Sequence, residues 1–135
     1  MIDIEAELFT TIASALRSSF SGVFVAGEYV RQPSQFPAVS IVEMDNSVYL
    51  SGRDSLEIEH FADVMYQVDV YSNKNKGKKA ECKAIMAFID EWFAQFGFAR
   101  TFYSPVQNMN DPSIYRVTAR YQAVVGTDNT VYGRR

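Results

Sequence analysis

The chain has 135 residues, of which 47% are hydrophobic, 21% charged and 14% aromatic. That length suits one compact domain with a sizeable core, and the composition excludes intrinsic disorder and low-complexity architectures. The net charge of −3 hides an asymmetry, because residues 1–69 carry eleven acids against three arginines whereas residues 70–135 carry ten basic residues against five acids.

Ile2, Ala6, Phe9, Ala13, Leu16 and Phe20 recur at alternating steps of four and three, the apolar stripe of an amphipathic helix. Asp3, Glu5 and Glu7 stand where the positive end of its dipole favours acids, and Ser21-Gly22 stops it. Two β-branched runs follow, VFVAGEYV and PAVSIVEM, read as strands joined by the proline-broken loop RQPSQFP. The segment DNSVYLSGRDSLEIEH has turn signals at Asp45-Asn46-Ser47 and Ser51-Gly52, which predicts a protruding hairpin or loop over 45–60.

From Asp63 to Tyr71 the pattern alternates, with Val64, Tyr66, Val68 and Val70 on one face and Asp63, Met65, Gln67 and Asp69 on the other: a half-buried strand. A second helix carries the stripe Cys82, Ile85, Ile89, Trp92 and Phe96, and Gly97-Phe98 supplies a left-handed glycine cap with an apolar residue folding back. FARTFYSPV and SIYRVTARYQAVVG complete the domain as strands around the polar turn QNMNDP. In the last of these Tyr115, Val117, Ala119, Tyr121, Ala123 and Val125 share one face, and Arg116, Thr118, Arg120 and Gln122 the other. The prediction is a single α+β domain over 1–135: a mainly antiparallel β-sheet with two helices packed on one face, and a loose end at 127–135.

Chemistry is sparse. With one cysteine, Cys82, and one histidine, His60, neither a metal centre nor a Cys-His nucleophile pair is predicted; Cys82 lies on an apolar helix stripe and reads as core. Acid pairs such as Asp90-Glu91 and Glu57/Glu59 are what sixteen acids produce by chance. No catalytic residue, metal or cofactor is expected, and a spatially assembled hydrolase site is the least favoured reading. The acidic start MIDIEAELF is unlike a secretory signal, and no apolar run approaches the roughly 20 residues that span a bilayer. A cytoplasmic product that does not enter the membrane is expected.

Lys74, Lys76, Lys78 and Lys79 crowd into YSNKNKGKKAECKAI. Gly77-Lys78 is not a phosphate loop, because Ser72 stands where that motif needs glycine and Lys79 where it needs serine or threonine. The favoured reading is a solvated strand-to-helix connection, then a contact with a protein partner, then nucleic acid. Lysines at a helix start oppose the dipole, which is the reason to consider a partner at all. Arg116 and Arg120, about 13 Å apart along one strand face, read first as pairing across the sheet with acids such as Asp63 or Asp69, and second as lining an interface or channel. The charge asymmetry itself permits front-to-back contacts between copies in a ring, although interleaving of the charges on folding is the favoured expectation.

Read in succession, YQVDVYSNKNKGKKAE, IDEWFAQFGFAR and DPSIYRVTARYQAVV resemble the small tail-completion proteins of long-tailed phages and prophages, also called tail terminators or head-to-tail joining proteins. The resemblance covers about residues 60–125 and rests on Tyr66, Val68, Tyr71, Gly77, Lys78, Asp90, Gly97, Phe98, Asp111, Tyr115, Arg116, Arg120 and Tyr121. It implies an α+β fold whose copies form a hexameric ring, capping the tail tube and joining it to the head. It also implies contacts with the tail tube protein and the head connector protein, assembly in the host cytoplasm into the virion, and DNA passing through without being recognised. Expected interface residues are Lys74, Lys76, Lys78, Lys79, Arg116 and Arg120, with Arg53 and Asp54 in the predicted loop. The alternatives are another head–tail connector or minor capsid protein, and, from a different class, a small nucleic-acid-binding module using Lys74–Lys79.

Overall fold

The computed structural model describes residues 1–30, 32–48, 61–107 and 111–132. Its elements are α1 (Glu5–Ser19), β1 (Phe24–Ala26), β2 (Ala38–Val48), β3 (Phe61–Ser72), α2 (Lys78–Gln95), β4 (Ala99–Gln107) and β5 (Tyr115–Gly126). One sheet orders the strands β1-β2-β3-β5-β4. All its pairs are antiparallel except β1 with β2, which run parallel for three residues. Both helices bury their apolar stripes on the same face, giving the α+β architecture that the alternation and the two helical periods predict.

α1 is rotated from its predicted face. Leu8, Ile12, Ala13 and Leu16 are buried while Ala6 is exposed, and Phe9 and Phe20 sit at the margins of the stripe. The N-terminal stretch is apolar on several sides, so its period alone did not fix which side meets the sheet. Asp3 Oδ1 accepts the Glu5 N–H at 3.0 Å. Gly22, at φ 75°, turns the chain into β1.

β1 is far shorter than VFVAGEYV predicts. Gly27 lies against the Phe9 ring, where an added Cβ would sit 3.4 Å from a ring carbon. The chain then leaves the sheet edge, and the Tyr71 hydroxyl, on the face away from the helices, donates to the Val30 carbonyl at 3.2 Å. Ala38, Tyr71 and Ile114, with Phe24 and Phe36 against them, form a small second cluster on that far face.

β2 runs straight through the predicted turn at Asp45-Asn46-Ser47, pairing with β3 as far as Val48↔Ala62. A bulge at Met44 absorbs one residue, and Asn46 Nδ2 donates to the Ile2 carbonyl at 2.7 Å. Ser47 Oγ is taken by Asp45 Oδ1 at 2.6 Å. The residues that read as turn formers thus find partners along a strand, and ladder pairing overrides their local preference. The remainder of the predicted loop, with Arg53, Asp54 and His60, lies outside the described residues.

β3 and α2 follow the sequence closely. Val64, Tyr66, Val68 and Val70 are buried under the helices. On α2 Cys82, Ile85 and Ile89 are buried as predicted, but Met86 and Phe93 join them while Trp92 and Phe96 are half-buried. Gly97 has φ 90°, its N–H bonds to the Ala94 carbonyl, and the Phe98 N–H reaches the Phe93 carbonyl at 2.9 Å, which completes a Schellman cap. The cap steers Phe98 into the core, where Phe93 stacks flat on Tyr121 at 4.2 Å and meets Phe98 edge-on at 5.5 Å. The expectation of a loose end from residue 127 does not hold for 127–132. Gly126 and Thr130 close a tight turn, Val131 pairs with Val125, and Tyr132 packs edge-on against Phe61 at 5.6 Å.

Candidate functional site

The end of β3 builds the lysine shoulder. Ser72 Oγ donates to Glu81 Oε1 at 2.7 Å and accepts the Lys74 N–H at 3.3 Å, which fixes the turn between β3 and α2. Gly77, left-handed at φ 85°, starts α2 without a side-chain cap. Lys78 Nζ donates to the Ser113 carbonyl at 3.2 Å, tying the shoulder to the turn before β5. That turn is held by Asp111, which accepts both the Ser113 N–H and its hydroxyl. Lys74, Lys76 and Lys79 are exposed, so the predicted cluster of four divides into one tether and three accessible cations.

Arg116 and Arg120 also separate. Across the far face, Ser40, Asp69, Thr118 and Ser104 occupy one row over four strands. Asp69 is only 1% exposed. One of its carboxylate oxygens accepts from Arg116 Nε at 3.0 Å, from Arg116 Nη2 at 2.9 Å and from the Thr118 hydroxyl. The other accepts from Gln67 Nε2 at 3.1 Å. Arg116 also lies over the Tyr71 ring at 5.4 Å, and burial, with the Asp69 charge second, pushes the Tyr71 hydroxyl up to about 12. Arg116 is therefore a structural cation, paired with one of the acids that the sequence proposes. Arg120 instead donates to Gln67 Oε1 at 3.2 Å, lies over Phe102 at 5.1 Å, and remains exposed.

A third locus escaped the sequence reading. Asp3, Glu5 and Glu43 bring carboxylate oxygens within 4.8 Å of one another. Burial pushes Glu43 upward from the ordinary carboxylate value; hydrogen bonds from Asn46 and Tyr66 oppose that, and the charges of Glu5 and Asp3 add to it. Tyr66 donates its hydroxyl to Glu43 at 3.1 Å, so a core strand braces the cluster. Only sheet pairing brings Glu43 to the start of α1, so residue spacing carried no signal for it.

The cluster borders a groove of about 460 Å³ between α1 and the β1–β2 edge, whose lining includes Glu5, Ala6, Phe9, Glu28 and Ile41. A second groove, about 490 Å³, lies at the opposite side of the sheet between α2 and β4, with Lys83, Met86, Asp90, Arg100 and Tyr103 in its walls. There Asp90 accepts from Arg100 at 2.9 Å and from the Tyr121 hydroxyl at 2.9 Å, which fixes β4 to α2 through the core.

Cys82 is fully buried, its Sγ facing the Val70 and Tyr115 carbonyls, and burial pushes the thiol up to about 12; as a nucleophile it is inert. Compared with known proteins, the chain matches no protein-family model and no curated protein. No helix among the described residues is long and apolar enough to cross a membrane.

Proposed function

We propose that this chain is a non-enzymatic phage structural protein: a tail-completion subunit whose copies form a ring, sixfold by the resemblance, that caps the tail tube and joins it to the head. Its partners in this reading are other copies of itself, the tail tube protein and the head connector protein, and it becomes part of the virion after assembly in the host cytoplasm. The observation that supports the reading is the clustering in space of the positions that carry the resemblance. Tyr66, Asp90, Gly97, Phe98 and Tyr121 come from three different elements and the cap, yet they meet around Phe93 through ring contacts, the Asp90–Tyr121 hydrogen bond and the Schellman turn. Arg116 belongs to the buried Asp69 pair. Such convergence is what a fold-determining pattern requires, and it supports the reading to that extent.

The test is electron microscopy of particles from the phage or prophage that encodes the chain, with the gene deleted and the intact strain as control. Filled heads beside unattached or overlong tails are the expected result. Defective heads with normal tails would move the assignment to another connector or minor capsid protein. Joined, normal virions would reject a virion role. The three exposed lysines at one end then become the reason to measure nucleic-acid binding, whose affinity would have to fall steeply with salt and drop when Lys74, Lys76 and Lys79 become glutamine.

A further inference from the structure

The described charges gather at two separate places. Where β3 hands over to α2, Asn73 to Gly77 are all exposed and form a projecting knob. Ser72 braces its base through Glu81 and the Lys74 N–H, and Lys78 ties it to the Ser113 carbonyl. The knob is thus a held turn that carries Lys74 and Lys76, with Lys79 behind them on the first turn of α2. The acids beside it are engaged within the chain, Glu81 by the Ser72 hydroxyl and Asp111 by Ser113.

The groove between α1 and the β1–β2 edge has the opposite character. Ala6, Phe9, Gly27 and Ile41 give it an apolar lining, and Glu5 and Glu28 supply its charge. Asp3 and Glu43 add two more carboxylates within 4.8 Å of that of Glu5. No base is among the described lining residues, and Arg17, the base that α1 carries, stands in its last turn, about 18 Å along the axis from Glu5. Neither Glu5 nor Glu28 has an ion-pair partner among the described residues, and the same is true of Lys74, Lys76 and Lys79.

Lysine suits such a groove, because its hydrocarbon stem covers apolar surface while the ammonium head reaches a carboxylate. A lone exposed ion pair contributes little, so a useful contact needs both the apolar lining and several charges at once. From these two surfaces we infer that the groove is the docking site for the lysine knob of a second copy of this chain. Lys74 and Lys76 lie along Ala6, Phe9 and Ile41 of the neighbour, with their ammonium groups at Glu5, Glu28 and the carboxylates beside them. The dipole cost of lysines at the start of α2 is then offset at the interface. Knob and groove occupy different places in the fold, one at the end of β3 and the other beside β1, so the contact can pass from copy to copy as a ring requires. The inference names the surfaces that meet in the ring and rests on the ring reading for its biological setting.

The experiment exchanges the charges of knob and groove in the full-length chain. Four samples are compared at low salt and about 1 mM, so that weak contacts populate: the parent, a knob variant (Lys74→Glu with Lys76→Glu), a groove variant (Glu5→Lys with Glu28→Lys), and an equimolar mixture of the two variants. Circular dichroism checks folding, and Glu28→Lys alone, at an exposed position, replaces the groove variant if the change at Glu5 disturbs the start of α1. Sedimentation should show the parent self-associating and each variant alone at least about tenfold weaker, since like charges then face each other. The mixture should return to within about threefold of the parent, because each variant's knob now matches the other's groove. Carbodiimide cross-linking of the parent, with half the chains isotope-labelled, should join Lys74 or Lys76 of one chain to Glu5 or Glu28 of another. A variant that associates as the parent does, a mixture no better than its components, or links between copies only at other residues overturns the inference. A monomeric parent without cross-links overturns it too, and leaves the groove to a basic segment of a different protein. Association restored by mixing, alongside normal virions from the deletion strain, keeps the contact and rejects the tail role. Unattached or overlong tails in that strain, without such association, keep the role and reject the contact.

Discussion

The two faces of the sheet bury their residues by different means. Under the helices, burial is apolar and aromatic: Tyr66, Phe93, Phe98 and Tyr121 form a ring cluster, and the tyrosine hydroxyls escape to Glu43 and Asp90 at its margin. On the far face no helix lies over the sheet among the described residues, yet Asp69 and Tyr71 are as hidden as core residues. There Tyr71 packs with Ala38, Ile114, Phe24 and Phe36 and bonds to the Val30 carbonyl, and the buried Asp69 charge is matched by Arg116, Thr118 and Gln67. An apolar core tolerates imperfect neighbours at modest cost, whereas a buried charge is stable only while its partners stay.

That contrast can be broken first at Phe93. Phe93→Ala removes the ring that stacks on Tyr121 and meets Tyr66 and Phe98, and should cost about 3–5 kcal/mol in urea unfolding. Phe93→Leu should recover a large part of that, since the neighbours ask for volume. On the far face the comparison sharpens with Asp69→Ala, expected to cost about 2–4 kcal/mol because it leaves the Arg116 guanidinium and the Thr118 hydroxyl without their acceptor. Here the nearly isosteric Asp69→Asn should recover little, because the lost quantity is charge and acceptor capacity. If Asn rescued as well as Leu does at Phe93, the proposed difference between the faces would not stand.

The smallest effect is expected at the margin of the core. Burial raises Glu43 above its ordinary value of 4.5 in the folded chain, so the fold takes up a proton there more readily than the unfolded chain does. Ionised Glu43 thus weakens the fold at neutral pH, and the penalty lifts as pH falls through the raised value toward 4.5. Glu43→Gln should therefore raise the melting temperature by about 1–2 °C at pH 7, and the advantage should vanish under acid conditions. A variant less stable than the parent at pH 7 would show that the Tyr66 and Asn46 hydrogen bonds to the carboxylate outweigh its desolvation.

Period and cap chemistry made β3, β5 and the end of α2 legible from sequence, because each is a local pattern: strict alternation from Val64 to Val70, and glycine then phenylalanine after a helical stripe. The partner of Arg116 was legible because alternation puts Asp69 on the same sheet face. What was not legible depended on tertiary choice. α1 offers apolar residues in several directions, and only packing against the sheet selects Leu8 and Ile12 over Ala6. Asp45-Asn46-Ser47 has the composition of a turn, and only β3 holds it extended. The lysine shoulder could be placed at a strand-to-helix connection. The acidic cluster and the strand order could not be found, since the first requires knowing that Glu43 of β2 lies beside the start of α1 and the second that β5 slips between β3 and β4.

That insertion also sets an order of events for a chain made from its N-terminus. β3 and β4 follow one another around α2 but are not paired with each other, and the strand that β4 pairs with among the described residues is β5, which fills the gap. Until residues 115–126 have left the ribosome, the two halves of the sheet are held together by α2 alone. The last strand is then the keystone, and folding should remain incomplete through most of translation, with cooperative closure only near its end.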